Sequence, residues 1–291
     1  MKKKVGIVYE NNSLSGGGHK SRCYTISKVI NSRGHDVDFI SINEFQYESF
    51  NSWDIALVDC IDYQQTREIL NSLNNKTKIF TFEYFSKIRP FPYKNIAVCM
   101  HGRKTVYPTV ESFDYAVVRN DLIEQKRKNR PPTSNQNLYI LFTFGKSDSK
   151  DHLIHTFNSL KNYDSKGYKF IFIESKKGQL KNLDKDTNYF IDYDPINFCE
   201  LLANAALVIT SGGMTAIECN YLGKPSILFS QNEFEKYFHE QFIKNNGSLK
   251  IDENWISLLD DFIAGRLTVN IKSFIDGYGA ERIADMLLRD K

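Results

Sequence analysis

The chain of 291 residues is 41% hydrophobic and 13% aromatic, enough to build one large α/β domain or two of ordinary size. Its 38 basic and 35 acidic residues leave a net charge of +3, too balanced for a nucleic-acid binder, so Lys126-Arg127-Lys128 with Arg130 and Lys176-Lys177 read as solvated helix ends or linker flanks. Five scattered cysteines, Cys23, Cys60, Cys99, Cys199 and Cys219, speak against a disulfide framework or a zinc site and for a reduced, cytoplasmic setting. The start of the chain shows no signal-peptide core, and no stretch approaches a membrane span.

Short β-branched and aromatic runs alternate with amphipathic stretches, the rhythm of parallel sheets with helical crossovers. A strand over 5–9, a loop over 13–18 and a helix over 19–33, stopped by Gly34, lead into a strand over 37–42. Further strands are expected over 55–58, 78–82, 96–99 and 115–118, then a helix over 120–128. The polar, double-proline run 129–136 can continue neither helix nor ladder and reads as a linker between domains. The rhythm then restarts: strand 138–144, helix 151–160, strands 169–173 and 189–191, and helix 195–204 with Asp194 as its N-cap. Strand 207–210, helix 214–222 and strand 226–229 follow. Helices dominate to the end, and Ile283, Met286 and Leu287 put an apolar stripe on the last one. The expected organisation is a first Rossmann-like lobe over 1–128, the linker, a nucleotide-binding lobe over 137–270, and a terminal helix within 271–291 that packs back on the first lobe.

Two glycine loops carry the chemistry. Ser211, Gly212, Gly213, Met214 and Thr215 stand between a strand and a helix, where glycine lets the backbone approach a diphosphate and the first helical amides supply donors. Ser211 and Thr215 add hydroxyls. Glu218, about one turn in, is placed for the vicinal hydroxyls of a ribose. The plainer reading is a tight turn with Glu218 as a solvated helix residue. The first loop, Ser15-Gly16-Gly17-Gly18-His19-Lys20-Ser21-Arg22, has histidine where a nucleoside-triphosphatase loop ends in lysine and serine or threonine. His19 at a helix N-terminus is suited to accept a proton, which makes it a candidate general base; the competing reading is a capping or packing histidine. His152 and His155 are three apart on a helix, but without a third ligand an exposed face is the better reading. His35, His101 and His239 have no constellation defensible from spacing.

These motifs resemble the UDP-sugar hydrolases of pseudaminic acid biosynthesis and related spore-coat polysaccharide proteins. These in turn are similar to the N-acetylglucosaminyltransferase that forms lipid II. The resemblance rests on Gly16-Gly17-Gly18-His19 through Arg22-Cys23, Tyr115-Ala116-Val117-Val118-Arg119, Phe144-Gly145-Lys146-Ser147-Asp148 and the run 208–225. It implies two Rossmann-like lobes facing a cleft, the glycosyltransferase-B fold, with a UDP-sugar clamped by both. It makes His19 the base, places diphosphate on residues 211–215 and ribose on Glu218, and puts Gln231 and Asn232 at the nucleotide or sugar. Gly17, Gly18, Arg22 and Glu83 join the substrate contacts, and Asp59, Asp62 and Tyr63 are candidates for orienting sugar or water. The chain also departs from the pattern. Tyr9, Glu10 and Asn11 stand where the hydrolases have arginine and aspartate, Tyr63 comes later after Asp59 than their tyrosine does, and Phe144-Gly145 replaces a double glycine.

The expected activity is a hydrolase of cell-surface glycan or nonulosonic acid biosynthesis that releases UDP with water and needs neither metal nor cofactor. A metal-independent glycosyltransferase and a non-catalytic UDP-sugar binder are the alternatives. The aromatic-basic stretch 82–93 is a candidate surface for peripheral membrane contact, or else a loop covering the first sheet.

Overall fold

The computed structural model describes residues 1–10, 17–45, 52–60, 62–73, 76–99, 102–128, 139–145, 148–180, 189–193, 195–249, 254–267 and 269–289. The proposed linker 129–136, His101, Lys146, Ser147, Asp194 and Gly16 of the N-terminal loop lie outside them.

Along the chain run β1 (Lys4–Tyr9), α1 (Gly18–Ser32), β2 (Asp36–Ser41), β3 (Ile55–Asp59), α2 (Tyr63–Ser72), β4 (Lys78–Phe82), β5 (Lys94–Ala97) and β6 (Thr109–Glu111). There follow α3 (Asn120–Lys128), β7 (Tyr139–Thr143), α4 (His152–Leu160), β8 (Lys169–Glu174), β9 (Tyr189–Tyr193), α5 (Phe198–Asn204), β10 (Leu207–Ser211), α6 (Met214–Leu222), β11 (Ser226–Phe229), α7 (Glu233–Lys244), α8 (Trp255–Ile263) and α9 (Gly279–Leu288).

The chain divides into two compact units. One holds Met1–Arg119 with Asp276–Lys291, the other Asn120–Ile275. The first contains a six-stranded sheet of order β2-β1-β3-β4-β5-β6, the second a five-stranded sheet of order β11-β10-β7-β8-β9. Every strand pair is parallel. Strands of a sheet covered on both faces must be apolar on both, and β3 and β10 are buried at every position. In the second unit Phe142 stacks on Phe172 with ring centroids 4.3 Å apart, inside a core that also takes in Leu153, Phe157 and Leu259.

Two expectations need correction. Residues 115–118 form no strand: Tyr115 ends a short 3-10 turn over Phe113–Tyr115, and the sixth ladder position belongs to β6. Ala116, Val117 and Val118 are buried all the same, because α9 seats on this segment so closely that a β-carbon on Gly279 would fall 2.1 Å from the Ala116 carbonyl oxygen. The run is apolar for packing, not for pairing. Likewise α5 starts at Phe198, with Asn197 at its N-cap position, and not at Pro195. A helix not expected from sequence, α2, is opened by Asp62, whose carboxylate accepts from the Gln64 and Gln65 amides at 2.8 and 3.1 Å.

On α9, Ile283, Ala284 and Leu287 are fully buried, and Arg33, just past the end of α1, pairs with Asp285 at 2.7 Å. The extended return segment before α9 is fastened to α6 by one side chain. Asn220 Nδ2 donates to the Gly247 and Lys272 carbonyls at 3.2 and 2.9 Å, and its Oδ1 accepts from Phe274 and Ile275 at 3.1 Å each. Lys126 is not a purely solvated end either: it donates to the Tyr221 carbonyl and lies over the Tyr221 ring. No helix among the described residues is long and apolar enough to cross a membrane.

Candidate functional site

In an open parallel sheet the place where strand order reverses leaves a crevice at the carboxyl ends of two strands, and ligands bind there. In the first unit the reversal lies between β1 and β3, and both strands end on the residues of interest. Tyr9 of β1 is level with Asp59, the last residue of β3. The chain leaving β1 returns as α1, whose first turn carries His19 and Arg22.

Asp59 is 1% exposed and gathers its neighbours. His19 Nδ1 lies 2.7 Å from its Oδ1, and Arg22 grips it with Nε to Oδ2 and Nη2 to Oδ1, both at 2.6 Å. The Cys23 thiol donates to Oδ2 at 3.3 Å. Burial alone would push the Asp59 carboxyl up, but the Arg22 guanidinium and then His19 outweigh it and hold the group well below the usual carboxylate range. Burial also works against the Arg22 charge, and Asp59 reverses that, so the guanidinium sits above its ordinary range. Burial pushes the Cys23 thiol up, which leaves it a poor nucleophile.

An ionised carboxylate only accepts, so a 2.7 Å contact places the imidazole proton on Nδ1. Nε2 is then the ring's proton-accepting atom. The 3.2 Å approach of Arg22 Nη2 to Nδ1 is proximity without a hydrogen bond, since both atoms would be donors. Arg22 is also stacked 4.1 Å above the Phe82 ring, and its Nη1 reaches only to 3.5 Å from Glu83. Glu83 holds φ at 51°, a left-handed conformation unusual for a side-chain-bearing residue, directly after β4.

Of the sequence candidates in this unit, His19, Arg22, Asp59 and Glu83 are thus brought together. Gly17 precedes α1 as its N-cap, and Gly18 is the helix's first residue. Tyr63 has another partner: its hydroxyl accepts from Arg103 at 2.6 Å, and its ring meets Tyr84 edge-on at 5.6 Å. Asp62 is spent on capping α2. Within the stretch 82–93, Phe82, Tyr84, Ser86 and Pro92 are buried, while Ile88 and Tyr93 are exposed.

The second unit reverses between β7 and β10, and the loops after these two strands meet there. Ser211 Oγ donates to the Phe144 carbonyl at 3.0 Å, and Gln231 Nε2 donates to the same oxygen at 3.1 Å. Gln231 Oε1 accepts from the Ser149 amide and hydroxyl at 2.7 and 2.9 Å, which makes this side chain a tie between loops. Asn232 caps α7, accepting from Phe234 and Glu235 at 3.0 Å each.

Gly213 turns the chain into α6 with φ 75° and ψ −144°, a region open to glycine, and no side chain caps the helix. Its first helical bond, Ile217 N–H to the Gly213 carbonyl, spans 3.3 Å, so the amides of Met214, Thr215 and Ala216 head the helix without partners within it. These amides and the aligned peptide dipoles favour an anion. Thr215 is half-buried beside them, and a β-carbon on Gly213 would meet nothing within 4 Å. Glu218 is no solvated helix residue: its side chain is fully buried.

Sequence reasoning expected helices after β11 but missed the residues that α7 brings to the loop. Glu235 accepts from the Gln231 amide at 2.9 Å and from the Gly212 amide, and burial raises its carboxyl despite both bonds. His239, fully buried, is held by burial at about 4. Neither could be read from spacing, because the signal is contact with a glycine more than twenty positions earlier. His152 is likewise not on an exposed face, since its ring lies 5.5 Å from Phe144 and 5.3 Å from Phe229; His155 is exposed. Among the described residues no cluster of histidine, cysteine, aspartate and glutamate is arranged to hold a metal ion.

No known family profile matches the chain. A curated relative, an uncharacterised protein of Methanocaldococcus jannaschii, is 28% identical over 138 residues, which is 45% of this chain and 28% of that protein. This chain therefore spans under a third of that relative's length. Among solved structures, UDP-GlcNAc 2-epimerase from M. jannaschii in complex with UDP-GlcNAc and UDP aligns over 98% of this chain and 99% of its own, with TM-score 0.61 and 12% identity. The Neisseria meningitidis UDP-GlcNAc 2-epimerase bound to UDP-GlcNAc aligns over 99% and 100%, with TM-score 0.60 and 11% identity. MurG of Acinetobacter baumannii aligns over 99% of both chains, with TM-score 0.58 and 10% identity. Likeness at such identity is a likeness of fold, and the fold is of the glycosyltransferase-B type, two parallel α/β units.

Proposed function

We propose that the protein is an enzyme of glycan biosynthesis that acts on a UDP-sugar, and that its reaction is hydrolysis with release of UDP. The second unit holds the nucleotide end of the substrate: the amides heading α6 take the diphosphate, and Glu218 takes the ribose once the surroundings of that buried carboxylate open. The His19–Asp59–Arg22 cluster of the first unit does the proton work at the sugar. One observation carries this reading. The His19 imidazole is held by its Nδ1 against a buried, ionised carboxylate, which leaves Nε2 for proton transfer, at a sheet's reversal point. The solved structures of like fold bound to UDP-GlcNAc support the choice of nucleotide.

In the proposed reaction His19 Nε2 takes a proton from water as the water oxygen bonds to the anomeric carbon. The bond from that carbon to the diphosphate oxygen breaks, and the charge leaves on UDP, stabilised by the α6 amides. Asp59 keeps the tautomer and steadies the imidazolium that forms. Arg22 keeps Asp59 ionised.

The test is a panel of UDP-sugars incubated with the protein, followed by chromatography and proton NMR. Free sugar and UDP appearing together without an acceptor is the expected result. UDP release only when an alcohol acceptor is present would make the enzyme a transferase, and a new UDP-sugar isomer without UDP release would make it an epimerase. Nucleotide binding with no turnover of any kind would remove catalysis altogether.

A further inference from the structure

The glycine loop before α6 is faced from α7 by a group that has nothing to bind. His239 is fully buried, its Nδ1 lies 3.0 Å from Ser230 Oγ, and its Nε2 has no hydrogen-bond partner among the described residues. That nitrogen lies 2.6 Å from the point where a β-carbon of Gly212 would stand, so the imidazole edge is aimed at the middle of the loop. No side chain of residue 212 lies between the loop and Nε2. A buried polar group left unpaired is expensive and rare in folded proteins, and it calls for a reason.

One of the two neutral tautomers suits the ring to a donor's role at the loop. Glu235 Cγ and Cδ lie 3.2 and 3.4 Å from that same point. In the tautomer with its proton on Nε2, Ser230 donates its hydroxyl hydrogen to Nδ1 and Nε2–H faces the loop as a donor. Glu235 itself is satisfied by the Gln231 and Gly212 amides. The loop thus has main-chain donors at the head of α6 and a side-chain donor from α7, with no acceptor for the latter.

We propose that His239 is a further ligand of the substrate's diphosphate, its Nε2–H donating to a phosphoryl oxygen seated on the loop of residues 211–215. The assignment rests on the nucleotide-binding reading given above and adds to it a residue from a different helix. It also explains why position 212 is glycine, since any side chain would occupy the line between imidazole and ligand. Glu235 limits the affinity: its negative charge stands close to the same loop, and the donors must outweigh it.

The experiment is calorimetric titration of the full chain with UDP and with uridine, on the wild type, His239→Phe and His239→Gln, each checked for an unaltered melting profile. Phenylalanine fills the space without a donor, and glutamine offers an amide donor. His239→Phe is expected to weaken UDP by about tenfold or more, the loss of a hydrogen bond to a charged group, and to leave uridine unaffected. His239→Gln recovers most of the UDP affinity. Nitrogen-15 NMR of the wild-type imidazoles reads the same contact without substitution: the Nε2 resonance of His239 moves on adding UDP and stays put on adding uridine. UDP binding that is equal in wild type and His239→Phe, or an Nε2 resonance unmoved by bound UDP, overturns the role of His239 and leaves the nucleotide site standing. A wild type that binds no UDP removes the site and the inference together.

Discussion

Asp59 serves three neighbours at once, and its removal separates them. It fixes the His19 tautomer, neutralises Arg22 and accepts from Cys23. In Asp59→Ala the guanidinium keeps its place with its principal partner gone, and breaking such a buried pair costs about 3–5 kcal/mol. A denaturant titration reads that loss, which Asp59→Asn reduces but does not abolish. His19→Ala touches no buried charge pair other than this one and leaves Asp59 held by Arg22. Turnover is expected to fall on the order of 10²–10⁴-fold with stability and UDP affinity kept, and an unchanged rate would take His19 out of the chemistry. His239 makes a separate statement about pH. Burial depresses it from 6.5 to about 4, so between those values the unfolded chain binds a proton that the folded chain does not. Stability is complete above about pH 6.5 and falls as pH drops towards 4, by on the order of 3 kcal/mol. The same titration repeated on His239→Phe should show this part of the acid slope flattened.

At the scale of elements the glycine loop is the most exacting piece. In Gly212→Ala the new methyl group lands 2.6 Å from His239 Nε2 and 3.2 Å from Glu235 Cγ, so α7 or the loop must shift. Such overpacking costs about 1–3 kcal/mol, and UDP affinity should fall with it; calorimetry and a melting curve on the same sample check both. The strand-loop-helix around residues 207–222 was legible in sequence because periodicity, two glycines and a following helix agree at close range. The strands β3, β4 and β11 were legible from their short β-branched and aromatic runs. What could not be read is what residues meet. Arg22 and Asp59 are 37 positions apart, and only the parallel pairing of β1 with β3 brings them together. Residues 115–118 look like a strand because burial against α9 demands the same apolar residues that a ladder does. The α2 helix was passed over because its polar first turn, Tyr63-Gln64-Gln65, hides the apolar face at Ile69 and Leu70. Gln231 and Asn232, expected at the substrate, spend their side chains on tying and capping loops, roles that no spacing announces.

For the molecule as a whole, the reading in sequence is one rhythm run twice, with a terminal helix expected to pack back on the first lobe. The first unit is interrupted by the entire second one and completed by α9. Removing residues 276–291 should therefore destabilise the first unit alone, since it strips Ile283, Ala284 and Leu287 from α1 and from the segment at Ala116. Hydrogen exchange would show protection lost in β1 to β6 and kept in β7 to β11. The second unit is expected to hold, because Asn220 and its four bonds belong to it entirely.

The start of the first strand and the end of the last helix also lie side by side, with Lys3 Nζ donating to the Leu288 carbonyl at 2.7 Å. A short tether could join the two termini, and the polypeptide could be cut open afresh between Arg119 and Asn120. Such a rewired gene would encode the two units as uninterrupted beads in tandem, with every internal contact of each preserved. The interleaving would then be exposed as a matter of the order in which the ribosome delivers the parts.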